Sequence, residues 1–173
     1  MQKHVIVAGA ATALAFAGLA GTAAHAQDSA WAFFEGEGGL LQAGVQAADG
    51  EQLILKCDET GEGEVFAVIF TPSRLKPPSS RPQPRDIRLR YDGGSPDVDS
   101  WRYYEQTAMA LNTRRERQLR DFLRPLADAD SLEVILYPVD GSPIEVTFAV
   151  TGARDAIGMV YESCEDNDSP LNE

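Results

Sequence analysis

The chain carries two thiols, at Cys57 and Cys164, and they are far apart in the sequence. Two cysteines can form a structural disulfide, or they can serve as free or redox-active thiols. Redox-active pairs commonly follow a C-x-x-C spacing, which this chain lacks. We therefore expect a disulfide between Cys57 and Cys164, closing a loop of about a hundred residues.

Histidine is the usual acid–base side chain near neutral pH, and it is also a common metal ligand. The chain has only His4 and His25, and no histidine follows position 25. A chain that starts after His25 would have no imidazole for Ser-His-Asp or Cys-His catalysis, nor for a zinc site that uses histidine. We accordingly expect a protein that is not an enzyme, with no catalytic residues, no metal and no cofactor.

The first residues have the layout of a secretory signal peptide. A positive start at Lys3 precedes an apolar run from Val5 to about Leu19, and small residues lead to Ala26. This layout predicts a signal peptide over residues 1–26, with cleavage after Ala26. A membrane anchor is the alternative, but the run is short, rich in Ala and Gly, and without a positive flank after it. We expect a periplasmic or secreted protein without stable membrane insertion.

Charge is distributed unevenly along the chain. The net charge of −12 argues against binding to nucleic acid or to anionic membranes. Twelve of the 15 Lys and Arg residues nevertheless lie between Arg74 and Arg124. A Pro/Arg-rich loop predicted at residues 72–86 is either a solvated, semi-rigid loop or a recognition loop for an acidic protein surface or an envelope component. Its candidate partner-binding residues are Arg74, Lys76, Arg81 and Arg85.

Other side chains allow a functional and a structural interpretation. Glu105 is either a catalytic acid or, as we favour, a rim carboxylate paired with an arginine. Trp31 and Trp101 could line a sugar or peptide groove, or lie in the core. The arginines between positions 114 and 120 are expected on the solvated face of a helix. The acidic runs after Cys57 and Cys164 do not match a calcium-binding loop, and we expect a solvated acidic surface.

The apolar pattern predicts the elements that position these residues. Residues 41–57 predict a hairpin, and its buried rows match only if three residues form the loop, which pairs Val45 with Leu53 and Ala43 with Leu55. Glu64–Thr71 predicts a central strand, residues 87–91 an alternating strand, and residues 131–150 a second hairpin across Asp140-Gly141. Residues 101–111 predict continuous alternation that places Trp101, Tyr103, Thr107, Met109 and Leu111 on one face.

Two amphipathic helices are also predicted. Thr113 and Glu116 suggest a capping box before a helix that buries Leu119, Phe122, Leu123 and Leu126. Thr151 is predicted to cap the final helix, which buries Ala153, Ile157, Val160 and Cys164. The predicted fold is therefore α+β: a single domain over residues 27–173, with an antiparallel sheet or sandwich, two packed helices, one disulfide and an acidic C-terminal tail.

Several spaced segments together resemble a known family. These are LILKCD around Cys57, IRLRYDGG, Trp101, DFLRPL, and FAVTGARDAI leading to Cys164. Across Leu53 to Cys164 the chain is similar to the VasI/TagO-like exported proteins associated with type VI secretion, and to a related group of small exported bacterial proteins with the same two cysteines. The resemblance implies an accessory or binding protein in the periplasm.

Three functions follow from these observations. The first is a non-enzymatic periplasmic binding or accessory protein, associated with an envelope or secretion assembly, and a flat sheet with an exposed loop would favour it. The second is a carboxylate-dependent hydrolase of cell-wall glycans, which needs a deep pocket with convergent acids. The third is an inhibitor of a secreted basic enzyme such as lysozyme, which a protruding acidic loop would favour.

Overall fold

The computed structural model of the protein describes residues 30–36, 39–57, 63–78, 81–113 and 117–172. The predicted signal peptide, residues 1–26, lies outside these ranges. In the described part, the chain forms nine strands and two α-helices, followed by a short 3-10 turn. The elements in chain order are β1 (Ala32–Glu35), β2 (Leu41–Gln46), β3 (Gln52–Cys57), β4 (Val65–Phe70), β5 (Gln83–Tyr91), β6 (Asp97–Tyr103), β7 (Thr107–Leu111), α1 (Gln118–Leu126), β8 (Ser131–Leu136), β9 (Ile144–Ala149) and α2 (Ala153–Ser163).

All the strands belong to one antiparallel sheet with the order β1-β2-β3-β4-β7-β6-β5-β8-β9. The sheet is curved, so that its two ends approach each other. The amide of Ala30, just before β1, donates to the carbonyl of Thr151, just after β9, at 3.0 Å, and β2 contacts β9. The helix α2 packs on β2 and β3, and α1 packs on β7. The inward side chains of the sheet and the buried sides of both helices form one core. The predicted α+β class with two packed helices is confirmed, and the content is mostly β.

The β2–β3 hairpin has the predicted register. Val45 pairs with Leu53 and Ala43 pairs with Leu55, so the two apolar rows share the buried face. Gly50 has a φ of 97°, a left-handed conformation that glycine adopts without steric cost. The prediction of a three-residue loop is confirmed.

The prediction for residues 101–111 is wrong in part. A tight turn after Tyr103 separates β6 from β7, and Tyr103 pairs with Ala108. This spacing of five residues reverses the alternation, so Ala108 and Ala110 are buried, while Thr107, Met109 and Leu111 point to the outer face. Trp101 and Tyr103 are buried as predicted.

Both predicted helix caps are also corrected. The N-cap of α1 is Arg117, not Thr113, and Glu116 lies outside the described residues. The N-cap of α2 is Gly152, with a φ of 87°, and not Thr151. The hydroxyl of Thr151 instead donates to Oδ1 of Asp130 at 3.1 Å. The buried residues predicted for each helix are confirmed.

The predicted disulfide joins Cys57 at the end of β3 to Cys164 at the end of α2. A second link lies beside it, because the amide of Val65 donates to Oδ2 of Asp166 at 3.0 Å. Part of the acidic C-terminal tail is therefore fastened to the sheet. These two links fix the end of α2 to the β3–β4 connection.

Asp92, just after β5, joins that strand to the start of β8. Its Oδ1 accepts hydrogen bonds from the amides of Ser131 at 2.8 Å and Asp130 at 3.0 Å. The bond from the Ser131 amide is the main reason why the pKa of the Asp92 carboxyl lies below its ordinary value. The ionised form is therefore favoured in the folded protein.

This lowered pKa predicts a loss of stability in acid. The contribution of Asp92 is present above the unfolded carboxyl pKa of about 3.9 and is lost as the pH falls through the lower, folded pKa. An Asp92→Asn variant should therefore be less stable than wild type near pH 6, and the difference should shrink below pH 4. Urea unfolding from pH 2.5 to 6 measures this, with Asp140→Asn as the exposed control. A difference that stays constant with pH would contradict the assignment.

Candidate functional site

The predicted Pro/Arg loop is shorter and more firmly attached than its sequence suggests. Since β5 begins at Gln83, the connection covers only positions 71–82, of which 79–80 are not described. Leu75 is fully buried, and its amide donates to the carbonyl of Glu105 at 2.7 Å. Its carbonyl accepts the amide of Val139 at 2.8 Å. The first half of the connection is thus held against the β6–β7 turn and the loop after β8.

Two of the four predicted partner-binding residues bind to backbone carbonyls. Lys76 is only 5% exposed, and its Nζ donates to the carbonyl of Pro77 at 3.0 Å. Arg85 lies within β5, and its guanidinium donates to the carbonyls of Tyr137 and Pro138 at 3.2 Å. Both side chains therefore stabilise local structure, and their part in partner binding stays a prediction.

The other two predicted residues are at the surface. Arg74 forms an ion pair with Glu105, with 2.9 Å between Nη2 and Oε1, and both side chains are about half exposed. This confirms the interpretation of Glu105 as a rim carboxylate paired with an arginine. Arg81 is exposed. The structure therefore does not bring the four residues together as one charged patch.

A cleft lies where β5, β6 and the end of β8 meet. It has a volume of about 460 Å³ and is lined by Pro84, Arg85, Asp86, Arg88, Val98 and Tyr137. Arg88 and Val98 are cross-strand neighbours whose side chains point to the outer face of the sheet. Val98 is 64% exposed, the largest value among the exposed large apolar side chains of the described residues. Arginine is among the residues that are enriched at protein-binding surfaces.

Tyr103 joins two residues that line this cleft, Asp86 and Tyr137. Its buried hydroxyl donates to the carbonyl of Asp86 at 3.3 Å and accepts the amide of Tyr137 at 3.1 Å. Burial raises the pKa of Tyr103 to about 12, so the hydroxyl stays protonated at neutral pH. The hydroxyl therefore connects β5 to the end of β8, and it keeps the walls of the cleft at a fixed separation.

A second cleft of about 450 Å³ lies on the other side of Pro84 and includes Arg102 and Arg117. Arg102 is the cross-strand neighbour of Pro84, so Arg88 and Arg102 lie roughly 13 Å apart on the outer face. Neither of these two guanidiniums forms an ion pair or a hydrogen bond with any described residue. Arg90, on the same face, is instead paired with Glu133 at 3.0 Å. We call Arg88, Arg102 and Val98 together the arginine face.

The arginine face was not among the predicted site residues. The alternation of residues 87–91 does place Arg88 and Arg90 on the outer side of their strand. Glu133 of β8 neutralises Arg90 and not Arg88. This could not be seen in the sequence, because Glu133 lies 43 positions after Arg90. One sequence signal could have identified Arg88 and Arg102 as a pair. The alternation of β6 places Arg102 on the outer face, and pairing β5 with β6 then brings it to the same face as Arg88.

The described acids do not form a desolvated pair in either cleft. Asp86 is exposed, and Asp99 is partly exposed and accepts the indole N–H of Trp101 at 3.0 Å. Among the described residues, the buried acid is Glu51 of the β2–β3 loop, which is 8% exposed. Its Oε2 has no hydrogen-bond partner among these residues. Glu51 lines neither cleft. Within the described ranges, no group of three or more His, Cys, Asp or Glu side chains could hold a metal ion.

The two tryptophans belong to the core. Trp101 is fully buried, and the indole N–H of buried Trp31 donates to the carbonyl of Val150 at 3.0 Å. Neither residue lines a groove on the described surface, so the structural interpretation of both is confirmed. Residues 58–62, which include much of the first acidic run, lie outside the described residues.

These features define a small, disulfide-linked antiparallel β protein with two helices and an arginine-lined outer face. No protein-family model matches the chain, and no curated protein matches it. Among solved structures it is similar to invasion associated protein B from Bartonella henselae, with 12% identity and a TM-score of 0.52. The match covers 80% of this chain and 96% of that one, and it shows a shared fold. The resemblance to VasI/TagO-like proteins stays a prediction.

The helices of the described ranges are too short or too polar to span a membrane. A structural disulfide of this kind is typical of proteins that fold outside the cytoplasm.

Proposed function

We propose that the protein is a non-enzymatic binding or accessory protein of the cell envelope, and that the arginine face contacts an acidic protein surface or another acidic envelope component. The observation that carries this proposal is that Arg88, beside exposed Val98, and Arg102 form no ion pair with any described residue, on a chain of net charge −12. In so acidic a chain, a guanidinium that forms no ion pair with a described carboxylate is available to a partner, although Asp86 and Asp99 line the same clefts. A partner carboxylate could accept bidentate hydrogen bonds from either guanidinium.

Other arginines of the chain, by contrast, are already paired with acids. Arg74, Arg90 and Arg154 each have a carboxylate partner within 3.0 Å. Arg88 and Arg102 lie in hydrogen-bonded strands, so little backbone entropy is lost when a partner binds there. The exposed apolar surface of Val98 adds an apolar contact next to Arg88.

The fold and the disulfide are compatible with an envelope role. The structural neighbour is named for an association with invasion, and its fold likeness alone does not assign that role here. For this chain we propose association with an envelope or secretion assembly. That assembly would present an acidic face to the sheet, in agreement with the predicted acidic partner.

A site-specific photo-crosslink tests the proposal. A photoreactive benzoylphenylalanine replaces Val98, which is exposed, and a matched control replaces exposed Thr147 on the outer face of β9. We expect position 98 to capture one discrete envelope component in cells and position 147 to capture none. Adding Arg88→Ser and Arg102→Ser should reduce the captured product several-fold to about tenfold, because each exposed charge contributes on the order of 0.2–1 kcal/mol.

The proposal predicts that this capture depends on charge. An Arg90→Ser variant is the matched control, since Arg90 already has Glu133 as its partner. It should leave the captured product nearly unchanged. If Arg88→Ser with Arg102→Ser leaves capture at position 98 intact, or if positions 98 and 147 capture the same set of proteins, the arginine face is not the binding surface.

A further inference from the structure

The outer face of β3, β4 and β7 is apolar. Ile54, Val68 and Met109 are neighbours across these three strands. Phe66 and Phe70 lie on either side of Val68 along β4, and all five side chains point away from the core. They line a shallow depression of about 560 Å³. We call these five side chains the apolar face.

The apolar face reaches the edge of the sheet through a glycine. A Cβ atom placed on Gly44 would lie 3.4 Å from Cγ1 of Ile54 and 3.5 Å from Cε1 of Phe34. Phe34 and Ile54 therefore flank position 44 on the outer face, where glycine adds no side chain between them. Phe34 is 42% exposed, and it extends the apolar surface to β1. Within the apolar face Val68 is buried and the other four side chains are partly exposed. Contiguous apolar surface that crosses several strands commonly marks an interaction site.

The charged strand residues that border this face are positive, while the exposed acid Glu64 lies just before β4. Arg102 is the cross-strand neighbour of Met109, and Lys56 is that of Phe66. The neutral side chains of Gln52 and Thr107 flank Phe70. No outward position of β3, β4 or β7, all of which are described, holds an acid. On a chain of net charge −12, this surface is complementary to a ligand that combines apolar and acidic side chains.

We infer that the apolar face binds an acidic amphipathic segment of the protein partner. The inference rests on the proposed function, because Arg102 belongs to both surfaces and makes them continuous. The segment would place its apolar side chains on Ile54, Val68 and Met109, and its carboxylates against Lys56 and Arg102. This fixes the partner as a protein with alternating apolar and acidic positions, which the arginine face alone does not specify.

Charge argues against two other occupants. In a two-fold dimer that stacks these strands face to face, Lys56 and Arg102 of one copy would approach the same positive residues of the other. An anionic bilayer would attract these two residues, but the rest of the chain is strongly acidic and would be repelled. An acidic segment on a protein matches both the apolar centre and the border.

Two synthetic peptides test the inference with the full exported chain. In one, glutamate alternates with valine and phenylalanine, and in the other lysine replaces every glutamate. Fluorescence anisotropy at low salt should show the glutamate peptide binding at least about tenfold more tightly. Phe66→Thr with Met109→Thr should weaken that binding about tenfold, since buried apolar side chains dominate affinity. Met159→Thr, at an exposed apolar residue of α2, is the control and should have no effect.

Folding and alternative occupants are checked in the same series. Circular dichroism confirms that each variant is folded, and Phe34→Ser at the sheet edge provides a second variant outside the central strands. Equal binding of both peptides, or binding that the variants leave unchanged, would overturn the inference. So would a dimer, or binding to phosphatidylglycerol vesicles, that is lost in the same variants. If capture at position 98 still depends on Arg88 and Arg102, the proposed function stands and only the inference fails.

Discussion

Replacing Cys57 and Cys164 together by alanine is expected to lower the free energy of unfolding by about 4–5 kcal/mol. The bridge joins residues 107 positions apart in the sequence, and its Cα atoms lie 5.6 Å apart. It limits the conformations of the unfolded chain over most of the described domain, so its loss makes the unfolded state more favourable. The chain has no other cysteine, so no other disulfide can replace it.

Urea unfolding of the purified exported chain measures this loss. Both sulfur atoms are buried, so alanine also removes packing, and a Cys57→Val, Cys164→Val variant separates the two effects. We expect the free energy of unfolding of both variants to fall by most of the predicted amount of about 4–5 kcal/mol. A loss below about 1 kcal/mol in both would show that the bridge adds little, and that the bond from Val65 to Asp166 and the core already hold α2.

Local patterns explain which parts of the fold could be predicted. The β2–β3 register was correct because two short apolar rows and Gly50 determine it within the hairpin itself. The prediction for β6 and β7 was wrong, because one tight turn follows Tyr103. The turn reverses which residues of β7 point to the core and which point to the outer face. The helix caps were wrong for a related reason: Asp130, which binds Thr151, lies on another part of the chain.

The site could be predicted less well, because it depends on which strands are neighbours. Lys76 is charged and surrounded by prolines in sequence, yet Leu75 beside it enters the core and carries it inside. Arg88 and Arg90 look equivalent in sequence, yet β8 supplies a carboxylate to Arg90 alone. Sequence patterns give the side of a strand on which a charge lies, whereas long-range pairing decides whether that charge is neutralised.

Replacing Trp101 by alanine is expected to lower the free energy of unfolding by about 3–5 kcal/mol. Its ring is fully buried and meets Phe122 of α1 edge-on, with 5.0 Å between ring centroids. Its indole N–H donates to Oδ2 of Asp99 at 3.0 Å. Alanine would leave a cavity between β6 and α1 and remove this hydrogen bond. Urea unfolding measures the effect, and Trp101→Phe, which keeps most of the ring volume, should cost clearly less.

The same two variants connect the core to the arginine face. Trp101 points inward from β6, whereas Val98 and Arg102 point outward from the same strand. If Trp101 acts only through packing, Trp101→Phe should keep the photo-crosslink at position 98, and Trp101→Ala should weaken it only as far as it unfolds the protein. If Trp101→Phe stays folded but abolishes the crosslink, the indole itself would have to contact the partner. Because the ring is fully buried, it could contact a partner only if β6 and α1 separated on binding. A crosslink lost in folded Trp101→Phe would therefore indicate that the docking surface opens when the partner binds.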